Sequence, residues 1–204
     1  MLELLAISAP HHLPDEPAWI ERLLRRGLSR YHVRKPAWSE ARLRELVAAI
    51  PEELRARIVL HQHHGLVPEL GLGGRHVKDG PADSAAAAFY SADADGSSTI
   101  SRSLHAIDTL ETELRGWDYI ILSPVFPSIS KQEYRPCWTI DDVKREVGGR
   151  NRNNGGKIYA LGGIDSGNVG CCGSLGFDGA VLHGALWQSS NPVDAFEQIK
   201  EAAA

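Results

Sequence analysis

Short apolar runs recur along the chain, and the stretches between them carry apolar residues at the three-and-four spacing of one helix face. The runs at residues 2–7, 30–34, 58–60, 75–78, 99–103, 119–122, 158–161 and 180–182 predict eight strands. Asp15 with Pro17, followed by Trp19, Leu23 and Leu24, predicts a capped helix that Gly27 ends. Ser39 predicts the cap of a second helix carrying Leu43, Leu46, Val47 and Ile50, and Pro51 stops it. Shorter helical stretches follow near residues 66–70 and 110–114, and a last one at 192–202. Residues 79–98, rich in Ala, Asp, Gly and Ser, read as one loop-and-helix excursion, and residues 148–156 as a polar loop. Strands alternating with helices are the mark of βαβ units and a parallel sheet. Eight of them predict the α/β class and a single (β/α)8 TIM barrel over residues 1–204, with no internal repeat or linker. Barrels of this kind usually need about 250 residues. At 204 residues the connections here must be short.

Composition narrows the function. The chain is 43% hydrophobic and 24% charged, which supports a buried core rather than disorder. A formal net charge of −4 provides no general basic field, so nucleic acid is not expected as a partner. The densest basic stretch, Arg22, Arg25, Arg26 and Arg30, reads as a solvated outer face. With no apolar run of membrane-spanning length and no secretory pattern, a cytoplasmic protein without membrane contact is expected. Cys137, Cys171 and Cys172 have no framework spacing and read as reduced thiols. A homo-oligomer is compatible with the sequence.

In a barrel of this type the working residues follow the C-terminal ends of the strands. Collected from those positions, the set comprises His32, Arg34 and Lys35 after strand two, His61 and His63 after strand three, and His76 and Lys78 after strand four. Ser103 and His105 follow strand five, and Ser123, Ser128, Ser130 and Lys131 follow strand six. Gly162 and Gly163 follow strand seven, and His183 and Gly184 follow strand eight. Cations, hydroxyls and glycine turns at one rim suit phosphate: Arg grips oxygens in a fork, Lys acts as a point charge, and glycine lets backbone N–H groups approach an anion. His61 and His63, two apart on a strand, would share a face and present two rings to one metal ion, although no further ligand set follows them.

The same residues carry a family resemblance. Residues 123–131, Ser-Pro-Val-Phe-Pro-Ser-Ile-Ser-Lys, resemble the G-P-V-F-P-T-x-T-K segment of the thiamine phosphate synthase/thiazole tautomerase family. Arg34 resembles the Arg of its Q-x-R-x-K segment, and Ser103-Leu104-His105 resembles its S-x-H. Leu161-Gly162-Gly163-Ile164 with Asn168 resembles its G-G-I…N, and residues 177–181 resemble its last strand. The matches run in order over most of the chain. They imply the same barrel, and an enzyme of thiamine biosynthesis that joins hydroxymethylpyrimidine pyrophosphate to thiazole phosphate and releases pyrophosphate. They also imply small phosphorylated pyrimidine and thiazole substrates, with Mg2+ as cofactor. By resemblance, Arg34, Lys131, Ser103 and His105 take the catalytic roles. By the same resemblance Ser128, Ser130, Gly163 and Gly184 line the thiazole side, and by their place at the strand ends His32, Lys35, His61, His63, Ser123, Gly162 and His183 are expected to bind substrate.

Some positions depart from that pattern. His61-Gln62 stands where the synthases have Asn-Asp. The acid expected after strand four has only Asp79 and Asp83 nearby, and Lys78 follows His76-Val77 directly. His32 replaces a Gln, and the second family Lys falls on Pro36 with Lys35 one residue early. Two alternatives therefore stand beside the synthase: a thiazole tautomerase-like isomerase using rim histidines for proton transfer, and a non-catalytic binder of a phosphorylated thiamine precursor. The tautomerase His falls on Pro124 in this chain.

Overall fold

The computed structural model describes residues 2–9, 11–80, 98–127, 137–150 and 155–204. Eight parallel strands close into a barrel in chain order: β1 Glu3–Ile7, β2 Arg30–Val33, β3 Ile58–Leu60, β4 Gly74–Val77, β5 Thr99–Leu104, β6 Tyr119–Leu122, β7 Lys157–Leu161 and β8 Gly179–Leu182. The seam between first and last strands sets Glu3 against Gly179 and Leu5 against Val181. The apolar runs locate every strand to within a residue or so. Short length suffices because each strand is buried on both faces.

Alternation along each strand sorts side chains into two cores. Leu4 and Ala6 of β1, Ile120 and Leu122 of β6, and Ala180 and Leu182 of β8 belong to the large core between the barrel and its helices. Their neighbours Leu5, Ile7, Tyr119, Ile121, Tyr159 and Val181 form a separate core inside the barrel. That inner apolar core comes from β1 and β6 to β8. The arc from β2 to β5 fills the interior instead with His32, His76 and Ser101, all buried.

Among the described residues the helices are mostly short. α1 is Glu16–Arg25 and buries Ile20, Leu23 and Leu24. Its expected cap differs from the sequence reading: Asp15 sits in the left-handed region at φ 55 and makes no side-chain cap bond. α2, Glu40–Ala48, starts as expected, with Ser39 accepting from the Arg42 N–H. Pro51 ends that helical course and precedes α3, Glu52–Arg55. α4 is Leu66–Glu69 and α5 is Leu110–Glu113. α6, Ile140–Val143, begins in a Thr139/Asp142 capping box and passes into a π turn, Lys144–Gly148. α7 is Val169–Ser174 and α8 is Gly184–Trp187. α9, Pro192–Ala202, is capped by Asn191 and buries Phe196 and Ile199. No helix among the described residues is long and apolar enough to cross a membrane.

Candidate functional site

A cavity of about 640 Å³ opens where the strands end. The end of β2 places Arg34 on its wall, and the ends of β3 and β4 contribute His61, Gln62, His76 and Lys78. Ser103 and His105 come from the end of β5, and Ser123 from the end of β6. Gly162, Gly163, His183 and Gly184 come from β7 and β8. The structure thus brings together eleven of the residues collected from the sequence around one space. Ser128, Ser130 and Lys131 lie outside the described residues.

Arg34 is held by its backbone and exposed at its head. The Ser8 hydroxyl, at the end of β1, donates to the Arg34 carbonyl at 3.1 Å and accepts from its N–H at 2.9 Å. Ser8 is buried and its role was not expected. The only trace of it in the sequence is a hydroxyl directly after the first apolar run.

Lys35 and His63 go elsewhere. Lys35 is fully buried behind the rim, with Nζ 2.7 Å from Glu16 Oε2 and from the carbonyls of Ala9 and His11. One residue along a strand end turns a side chain to the other side. His63 does not share a face with His61, because β3 ends at Leu60 and His63 takes a left-handed φ of 53°. Its Nε2 lies 3.1 Å from the Trp38 carbonyl and its Nδ1 3.4 Å from Glu40.

His61 meets two rings from neighbouring strands instead. His32 Nδ1 is 3.1 Å from His61 Nε2, and the His61 and His76 ring centroids are 4.2 Å apart. His32 Nε2 is 2.9 Å from the Tyr119 hydroxyl. His76 Nδ1 lies 2.9 Å from Ser101 Oγ, and its Nε2 2.9 Å from Ser103 Oγ. Ser101 Oγ also donates to the Arg75 carbonyl, so His76 Nδ1 carries the proton and its Nε2 accepts from Ser103. Tyr119 and Ser101 extend the site inward. The strand alternation that puts them in the interior was visible in the sequence, but their polar partners were not.

Burial holds these three imidazoles neutral. His32 and His61 lie well below the usual histidine range, through burial first and the charge of neighbouring histidines next. His76 is pushed down to about 3 by burial, with His64 and Arg34 adding to it. Burial pushes the Tyr119 phenol up to about 12, so it stays protonated. His105 is oriented separately: its Nδ1 donates to the Ser123 carbonyl at 2.8 Å.

The glycine side of the cavity is rigid. Gly162 and Gly163 have φ values of 105° and 62°. A Cβ on Gly163 would stand 2.2 Å from the Pro127 carbonyl oxygen, and one on Gly162 2.9 Å from Pro124. Asn168 Nδ2 donates to the Gly163 carbonyl at 2.7 Å, fixing the turn.

The described lining residues include no Asp or Glu. Asp79, the nearest acid after β4, accepts from Arg102 at 2.8 Å and from the His105 N–H at 3.0 Å. Asp83 lies outside the described residues. Mg2+ demands hard oxygen ligands, usually one or two carboxylates. Imidazoles, one amide, the hydroxyls of Ser103 and Ser123 and two cations include no carboxylate, so the described wall does not fit Mg2+.

The model of the thiamine monophosphate synthase family matches residues 4–186. Among solved structures, a thiamine phosphate pyrophosphorylase from Bacteroides thetaiotaomicron aligns with a TM-score of 0.78 at 24% identity, covering 100% of this chain and 98% of that one. One from Pyrococcus furiosus aligns at 0.77 and 18% identity, covering 99% and 95%. A 3-hexulose-6-phosphate synthase from Salmonella typhimurium aligns at 0.70 and 17% identity, covering 99% and 98%. These likenesses show a shared fold. No curated protein sequence matches the chain.

Proposed function

The chain belongs to the thiamine monophosphate synthase family, and from that we propose that it is a transferase joining a pyrimidine pyrophosphate to a thiazole phosphate. What supports this reading is the cavity wall, where two separate arcs offer groups suited to anions. Arg34 and Lys78 stand at the ends of β2 and β4, and the glycine turns stand at the ends of β7 and β8. In a closed eight-stranded barrel these arcs face each other. Two separated anion sites suit two phosphorylated substrates meeting over one floor.

The chemistry then needs charge more than proton transfer. The bond between the pyrimidine methylene and the pyrophosphate oxygen breaks, and the electron pair leaves with pyrophosphate. Arg34 and Lys78 would receive that growing charge, and Ser103 would donate to it. The thiazole, tethered by its phosphate at Gly163 and Gly184, captures the pyrimidine-methyl cation. The apolar wall of Ile7, Leu161 and Val181 keeps water from competing.

A second reading has its own observation in favour. The His105 ring on the cavity wall, held by the Ser123 carbonyl, suits an acid/base isomerase of the thiazole tautomerase type, which would hold one phosphate. The deciding experiment supplies both substrates with and without added Mg2+ and follows thiamine phosphate and pyrophosphate directly. Product that disappears in Arg34→Ala supports the transferase. Absence of product with isomerisation of a thiazole phosphate replaces it with the isomerase. Tight binding without any turnover makes the chain a binder of a thiamine precursor.

A further inference from the structure

We propose that His32, His61 and His76 form a three-imidazole site for a borderline divalent transition ion, Zn2+ or Co2+, with its open coordination position facing the cavity. The inference does not depend on which reaction the cavity performs. The three rings come from the consecutive strands β2 to β4, and each offers a nitrogen within 4.8 Å of the other two. A tetrahedral ion bound at 2.0–2.1 Å needs ligand nitrogens roughly 3.3 Å apart. His32 Nδ1 and His61 Nε2 already stand at 3.1 Å. A small tilt of the His76 ring, with its Nδ1–H still on Ser101, closes the third distance from within 4.8 Å.

The outer partners have the arrangement metal-bound histidines use, in which the distal ring nitrogen is held by an acceptor. His76 Nδ1–H is held by Ser101 Oγ, which leaves the Nε2 lone pair on the cavity side. His32 Nε2 is held by the Tyr119 hydroxyl. Without an ion, one proton lies between His32 Nδ1 and His61 Nε2. The ion takes that place as the proton moves to His32 Nε2 and the Tyr119 hydroxyl turns to accept it. The Ser103 hydroxyl gives up its bond to His76 Nε2. All three imidazoles stay neutral, so no net proton is released.

The ligand types select the ion. Imidazole suits Zn2+, Co2+, Ni2+ and Cu2+ and does not suit Mg2+. His61 and His76 line the cavity while His32 is buried behind them, so the fourth position opens towards Ser103 and the bound substrate. Three protein ligands with one open position is the catalytic pattern rather than the structural one. The groups facing the cluster are Tyr119, Ser101, Ser103, His64, Arg30 and Arg34. The two arginines oppose a cation, and an anionic substrate at the open position offsets that repulsion.

The test strips the purified protein with a chelator and titrates it with Co2+ by visible absorption and with Zn2+ by calorimetry, using Mg2+ as control. The expected result is one ion per chain, the intense bands of four-coordinate Co2+, and no heat from Mg2+. His61→Ala and His76→Ala should weaken binding at least about 100-fold, whereas His63→Ala should leave it unchanged. His61 is only half-buried, so its variant is the one to carry the test if His76→Ala fails to fold. Weak six-coordinate Co2+ spectra, or full binding by a His61→Ala protein with native circular dichroism, would overturn the proposal.

Discussion

The ammonium of Lys35 lies 2.7 Å from a carboxylate oxygen of Glu16, and both side chains are buried. The same ammonium reaches the carbonyls of Ala9 and His11, and Tyr31 donates to the other Glu16 oxygen at 3.0 Å. This network ties the end of β2 to the first turn of α1, beneath the rim. Removing one partner leaves a buried charge uncompensated, at a cost of about 3–5 kcal/mol. Lys35→Ala should therefore lower the urea midpoint steeply while the folded fraction binds pyrophosphate as the wild type does. A large loss of affinity at unchanged stability would return Lys35 to the substrate.

The strands were legible because each is an apolar run bounded by polar residues, and doubly buried strands need nothing more. The network of Glu16 and Lys35 was not, since charged residues in sequence read as surface until the fold buries them together. The short helices α7 and α8, with sequences VGCCGS and GALW, carry too little periodicity to be read. At the rim, strand ends identified Arg34, His61, Ser103 and the glycine turns. What sequence could not supply was the meeting of His32, His61 and His76, because three strands must close side by side before rings 15 or more positions apart touch.

Acid should destabilise the protein through that same cluster. In the folded state the three imidazoles titrate below the ordinary value of 6.5, His76 at about 3. The unfolded chain takes up protons as pH falls below 6.5, and the folded chain does not. Stability is thus unaffected by these groups above that pH and is lost as pH falls below 6.5, with the loss from His76 continuing down to about 3. Urea denaturation measured across this window should show the slope, and His76→Gln should flatten it by about one ring's share. A flat profile would mean the cluster is protonated or solvated in the folded state.

Gly163→Ala tests the glycine turn. At φ 62° the added methyl would lie 2.2 Å from the Pro127 carbonyl oxygen, which is backbone and cannot swing aside. The loop after β6 must move, costing more than about 1 kcal/mol and spoiling the phosphate end of the cavity. Thermal melting should fall, and calorimetry with thiazole phosphate should show weakened binding. Asn168→Ala, which frees the Gly163 carbonyl, should give a smaller change in the same direction.

Arg34 and Ser8 should fail together at the opposite arc. Arg34 owes its position to the pair of bonds between its backbone and the Ser8 hydroxyl, while its guanidinium stands exposed at the rim. Hydrogen bonds to a charged group contribute about 1.5–3 kcal/mol, so Arg34→Ala should weaken inorganic pyrophosphate binding roughly 10- to 150-fold. Arg34→Lys should recover only part of this, because an ammonium keeps the charge and loses the two-toothed grip on phosphate oxygens. Ser8→Ala removes no charge, yet it leaves the Arg34 N–H and carbonyl without that partner and lets the side chain drift. Its affinity should fall between those of the wild type and Arg34→Ala, and combining Ser8→Ala with Arg34→Ala should add almost nothing. Calorimetry of all four proteins with pyrophosphate decides it. Additive losses would show that Ser8 acts on the site independently of Arg34, and equal affinities throughout would move the pyrophosphate site away from β2.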